Sequence, residues 1–175
     1  MYSSIRAAGY DPTIGGVLSD FTSEDVVRFL DAEPPNIAFD GLAGTVSNPI
    51  TFEVLVDDVE TLPDGTSQIG AGVDPGSFMM QWSCYPTTYP NTGCTLTGQT
   101  AGGSPITTPN NYADITSFLG VTGPDAGSVY TWAPNGGSVT VNMGGASSVN
   151  NSVWVQVKDL AGNSQWYAPA NFTVP

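Results

Sequence analysis

Three stretches of the chain collect side-chain oxygens. Asp31 and Glu33 stand just ahead of Pro34 and Pro35, and Asp57, Asp58, Glu60, Asp64 and Asp74 crowd one long connection. The third stretch is Asp159-Leu-Ala-Gly-Asn163, a turn in which Gly162 can take positive φ while Asp159 and Asn163 carry short oxygen-bearing side chains. Carboxylates and amides on turns are ligands for a hard cation, and calcium takes about six to eight oxygens at ~2.3–2.6 Å. The overall charge points the same way. Asp and Glu number 16 against 3 Lys and Arg, for a net charge of −13. Arg6, Arg28 and Lys158 are too few to neutralise a phosphate backbone, so nucleic acid is not an expected partner, and insertion at an anionic membrane surface is disfavoured for the same reason. The competing role for these acids is to keep a surface soluble in salt.

Catalytic chemistry is not expected. The chain has no His, which removes the usual general base and the Ser-His-Asp and Cys-His arrangements. It lacks a P-loop, a G-x-G-x-x-G run leading into a helix, and H-E-x-x-H. Its carboxylate pairs sit on turns between strands, with no cleft evident for glycoside hydrolysis. No D-x-[DN]-x-[DN]-G loop is present, so an EF-hand is excluded.

The elements that must hold the acids are strands. In Asn151 to Lys158, Val153, Val155 and Val157 alternate with Trp154, Gln156 and Lys158, the period that puts one face of a strand on a core. Ile50, Phe52, Val54 and Val56 alternate in the same way, as do Phe78, Met80 and Trp82. Asn36–Phe39 and Asn171–Val174 complete the clearest runs. Ser128–Trp132 and Ser138–Met143 read as a hairpin about Pro134-Asn-Gly-Gly137, burying Val139, Val141 and Met143. The connection from Asp57 to Pro75 reads as a long loop, and Gly98 to Gly127 is poor in pattern, with Asn111–Leu119 open to a helical turn or an irregular crossover. With 21 Gly, 14 Pro and 40% apolar residues, the expected fold is an all-β sandwich of about seven strands.

Several of these segments carry a resemblance. A strand ending Val155-Gln-Val-Lys-Asp159-Leu-Ala-Gly-Asn163, a last strand ending Phe172-Thr-Val174, the opening Asp31-Ala-Glu-Pro-Pro-Asn-Ile37 and the loop containing Gly70-Ala-Gly-Val-Asp-Pro-Gly-Ser77 together resemble the bacterial immunoglobulin-like, cadherin-like repeats of surface proteins and adhesins. The resemblance covers roughly residues 31 to 175 and implies an immunoglobulin-like sandwich behind an N-terminal arm, residues 1–30. In such a sandwich the start of the first strand, the B–C loop and the F–G loop share one end. Asp31, Glu33, Asp57, Asp58, Asp74, Asp159 and Asn163 then become the candidate ligands of a calcium ion.

The arm holds Val26, Val27, Phe29 and Leu30. Thr22-Ser-Glu-Asp25 could cap a short helix, but the run also resembles the last strand of a preceding repeat. As a strand it would either pack on its own domain or add to a neighbour's sheet. Cys84 and Cys94 flank a turn-rich loop, fit for a disulfide outside the cell or for two reduced thiols packed as small hydrophobes. No apolar core of a secretory signal is visible at the N-terminus. The expectation is therefore a non-enzymatic structural or assembly subunit, exposed on a virion, filament or cell surface, whose partners are other copies of itself or a neighbouring structural protein. A repeat of a longer adhesin is the alternative. Glycans are a further candidate partner through Tyr85, Tyr89, Tyr112, Trp132, Trp154 and Trp166.

Overall fold

The computed structural model describes residues 31–61, 65–86, 94–109 and 113–175. The arm residues Val26, Val27, Phe29 and Leu30 lie outside the described residues. Residues 33–175 form one compact unit.

Two antiparallel layers make its frame. One sheet runs β1 (Asn36–Asp40), β3 (Glu53–Asp57), β11 (Tyr130–Pro134), β10 (Leu119–Thr122). The other runs β2 (Gly44–Thr45), β15 (Ala170–Val174), β13 (Val149–Asp159), β6 (Val73–Pro86), β9 (Ala113–Asp114), with β14 (Ser164–Trp166) also paired to β13. Lettered along the chain, the first sheet is A-B-E-D and the second contains G-F-C, the strand order of an immunoglobulin-type sandwich. The parallel pairing of β2 with β15 adds a short strand at the edge of the second sheet. The fold is all-β, as the alternating apolar positions require.

Alternation explains the layers. Val54 and Val56 of β3, Phe78, Met80 and Trp82 of β6, and Val153, Val155 and Val157 of β13 are all buried, while the residues between them face outward. Trp82 is the hub. Its ring meets Phe52 and Phe172 edge-on, with centroids 5.8 and 5.4 Å away, and Phe78 stacks on Trp132 at 4.2 Å. The Trp82 indole N–H donates to Asn151 Oδ1 at 3.0 Å, and the Asn151 amide donates to the Val149 carbonyl. A buried amide is tolerable here because its partners are in place.

The structure departs from the sequence reading in the connections. Ser128–Met143 is not a hairpin: β11 pairs with β10 and β3, whereas β12 (Thr140–Asn142) pairs with β7 (Thr95–Gln99). The Asn135–Gly137 turn, with Gly136 at φ 72°, kinks one strand course instead of reversing it. The connection after Asp57 is not structureless either; it folds into a hairpin of β4 (Val59–Thr61) and β5 (Ser67–Ile69). The patternless middle supplies β7, β8 (Pro105–Pro109), β9 and β10, with a 3-10 turn at Thr116–Phe118. Gly98 lets β7 approach the ring of Phe118, where an added Cβ would collide with ring carbons.

Cys84, at the end of β6, is bonded to Cys94, just before β7, with Cα atoms 6.2 Å apart. The bond ties the frame to the extra β12-β7-β8 sheet. Closing a loop of this length is worth about 2–3 kcal/mol in the chain-entropy model. Replacing both cysteines with alanine is therefore expected to lower urea-derived stability by about that much, with a higher m-value because the released unfolded chain exposes more surface. A loss under about 0.5 kcal/mol would show that the bond constrains nothing.

Candidate metal centre

One corner of the sandwich gathers the ends of three chain segments. β6 begins where β13 ends, with Asp74 opposite Lys158 and Val73 opposite Asp159. The end of β3 is pulled to the same corner by backbone bonds. Gly70 N–H donates to the Asp58 carbonyl at 2.6 Å, Gly72 N–H donates to Asp58 Oδ2 at 2.6 Å, and Leu160 N–H donates to the Gly72 carbonyl at 2.8 Å. Asp58 and Asp159 are thereby both buried, at 3% and 2% exposure.

The Asp159 turn is self-locked. Asn163 donates its backbone N–H to Asp159 Oδ1 at 2.7 Å and its side-chain amide to Oδ2 at 2.6 Å. Gly162, at φ 95°, donates to the Asp159 carbonyl. Asn163 thus orients the carboxylate by donating to it.

Asp31, Asp58 and Asp159 each present a carboxylate oxygen, all within 4.8 Å of one another. Two oxygens that each lie about 2.4 Å from one ion can be no more than about 4.8 Å apart, so the spacing suits a shared calcium. Without a cation, two ionised carboxylates at that distance repel by roughly 3 kcal/mol at an effective dielectric of about 20.

The other expected ligands go elsewhere. Asp57 and Asp58 are neighbours in the chain, and side chains of adjacent extended residues point opposite ways. Asp57 accepts instead from the Asn36 side chain at 2.9 Å and from Val59 N–H at 3.1 Å, closing the β3–β4 corner. Asp74 accepts from Gly76 N–H at 3.1 Å, and its carbonyl accepts from the Ser77 hydroxyl, which in turn accepts from Lys158 N–H. Glu33 is exposed. None of these three belongs to the close group.

Sequence reasoning also missed Tyr167. Its hydroxyl oxygen is buried without a hydrogen-bond partner. Burial pushes the phenol above its ordinary range, the nearby Gln165 amide opposes this without hydrogen-bonding geometry, and the charges of Asp58 and Asp57 add to the rise. Only the fold reveals it, since nothing in Gln165-Trp-Tyr167 marks the tyrosine hydroxyl as buried.

The class defined so far is an all-β immunoglobulin-type sandwich with a carboxylate cluster at one corner. No protein-family model matches the chain, and a search of curated proteins finds no match. Among the described residues no helix is long and apolar enough to cross a membrane.

Proposed function

We propose that this chain is a non-enzymatic structural subunit of a virion or extracellular filament, stiffened by calcium at the acidic corner and joined to neighbouring subunits through its N-terminal arm. The observation that carries the calcium reading is the convergence of Asp31, Asp58 and Asp159, two of them buried. A cation there would offset the mutual repulsion of ionised carboxylates at this spacing. The buried Cys84–Cys94 bond fits an oxidising exterior.

The alternative, a repeat from a longer adhesin of the bacterial immunoglobulin-like kind, is favoured by one feature. Residues 36–174 supply all the lettered strands from A to G, so the described sandwich is complete in strand count without a strand from the arm. Deleting residues 1–30 and measuring mass by sedimentation separates the two. In the subunit reading, the full chain associates and the truncated chain is a folded monomer. Equal association of both forms rules that reading out.

A further inference from the structure

Asn135-Gly136 is the only Asn-Gly pair in the chain, and the fold has a use for both members. Gly136 holds φ at 72°, a conformation that glycine adopts without a Cβ penalty. An added Cβ there would collide with the side-chain oxygen of Gln99. The Asn135 amide is a clasp between three parts of the chain. Its N–H groups donate to the carbonyls of Gln99, at the end of β7, and Ser117, in the 3-10 turn, at 3.2 and 3.5 Å. Its oxygen lies against Gly120 of β10, where an added Cβ would come within 2.9 Å of it. An ionised aspartate could make neither of the two bonds, since both partners are acceptors.

Asn-Gly is also the setting in which an asparagine is chemically weakest. The next residue has no side chain to shield its backbone nitrogen from the asparagine side-chain carbonyl.

We infer that Asn135 is a spontaneous deamidation site that the native fold protects, and that its conversion unties β7 from the kink between β11 and β12. The backbone nitrogen of Gly136 attacks Cγ of Asn135 and gives up its proton; a C–N bond forms, and the side-chain nitrogen leaves as ammonia. Water then adds to one of the two carbonyls of the cyclic imide and opens it to aspartate or isoaspartate. Water is the only co-reactant, and Gly136 is exposed. Ring closure requires the amide to leave Gln99 and Ser117 and the Asn135–Gly137 turn to unwind, so in the folded chain the reaction waits on local opening. Aspartate sets a carboxylate against two carbonyls that have lost their donor. Isoaspartate adds a carbon to the main chain where β11 passes into β12.

Incubating the full chain in mildly alkaline buffer, either folded or unfolded in guanidinium chloride, and mapping its peptides by mass tests the protection. Asn135 is expected to convert ahead of every other asparagine in the unfolded chain, and about tenfold or more slower in the folded one. Equal rates in the two states, or an Asn135 that converts no faster than the other asparagines when unfolded, would overturn the inference. Asn135→Asp tests the consequence without the chemistry. Its urea midpoint should fall below that of the parent, and amide hydrogens of the Thr116–Phe118 turn and β12 should exchange about tenfold faster. A variant as stable and as protected as the parent would overturn the claim that conversion unties the strand.

Discussion

Saturating calcium is expected to raise the melting temperature of the full chain by roughly 5–10 °C, because an ion present at about a hundred times its dissociation constant adds about 2.7 kcal/mol to the folded form. The sharper expectation concerns Asp58→Asn. The amide keeps an oxygen for Gly72 N–H but removes one charge from the group formed with Asp31 and Asp159. In EDTA the variant should therefore be as stable as the parent or slightly more so, since a repulsion has gone. In calcium its melting temperature should stay where it was. If the acids merely shape turns, the parent will not respond to calcium and Asp58→Asn will gain nothing in EDTA. Scanning calorimetry of both proteins in both buffers gives the four values needed.

Trp82→Ala is expected to be the most damaging single substitution in the core. Truncating a buried tryptophan costs about 3–5 kcal/mol. Here it also strips the Asn151 carbonyl of its donor inside the protein, a further 1–3 kcal/mol on the order usual for an orphaned buried acceptor. Against a typical stability of about 5–15 kcal/mol, that leaves the domain marginal. Trp82→Phe separates the two effects, because it preserves an aromatic ring toward Phe52 and Phe172 while removing the N–H. Combining it with Asn151→Leu should recover about 1–2 kcal/mol relative to the sum of the single changes. Urea denaturation measures the cycle. Strict additivity would mean that the indole–amide bond contributes nothing to the core.

The frame was readable where one face of a strand is wholly buried. Val153, Val155 and Val157 announce β13, and Val54 and Val56 announce β3, because burial on one side imposes a two-residue period. Part of the acidic corner was readable through topology: once the strands are lettered, the B–C and F–G loops bearing Asp58 and Asp159 share an end. What the sequence could not resolve was which of two adjacent acids turns inward. Asp57 and Asp58 look equivalent as letters; only the bonds from Gly70 and Gly72 and the Asn36 amide divide them.

The connections were harder for a physical reason. Asn135-Gly-Gly137 carries the composition of a reversing turn, yet β12 finds its partner in β7, some forty residues earlier, and that competition decides the path. Likewise the approach of β7 to Phe118 depends on Gly98 lacking a side chain, a long-range packing fact with no local signature.

Crystals grown in millimolar calcium, with anomalous differences measured at long wavelength, test the central claim most directly. The account predicts one calcium peak about 2.3–2.6 Å from oxygens of Asp31, Asp58 and Asp159. A corner holding only water at that calcium concentration, or with those three carboxylates turned apart, would contradict it.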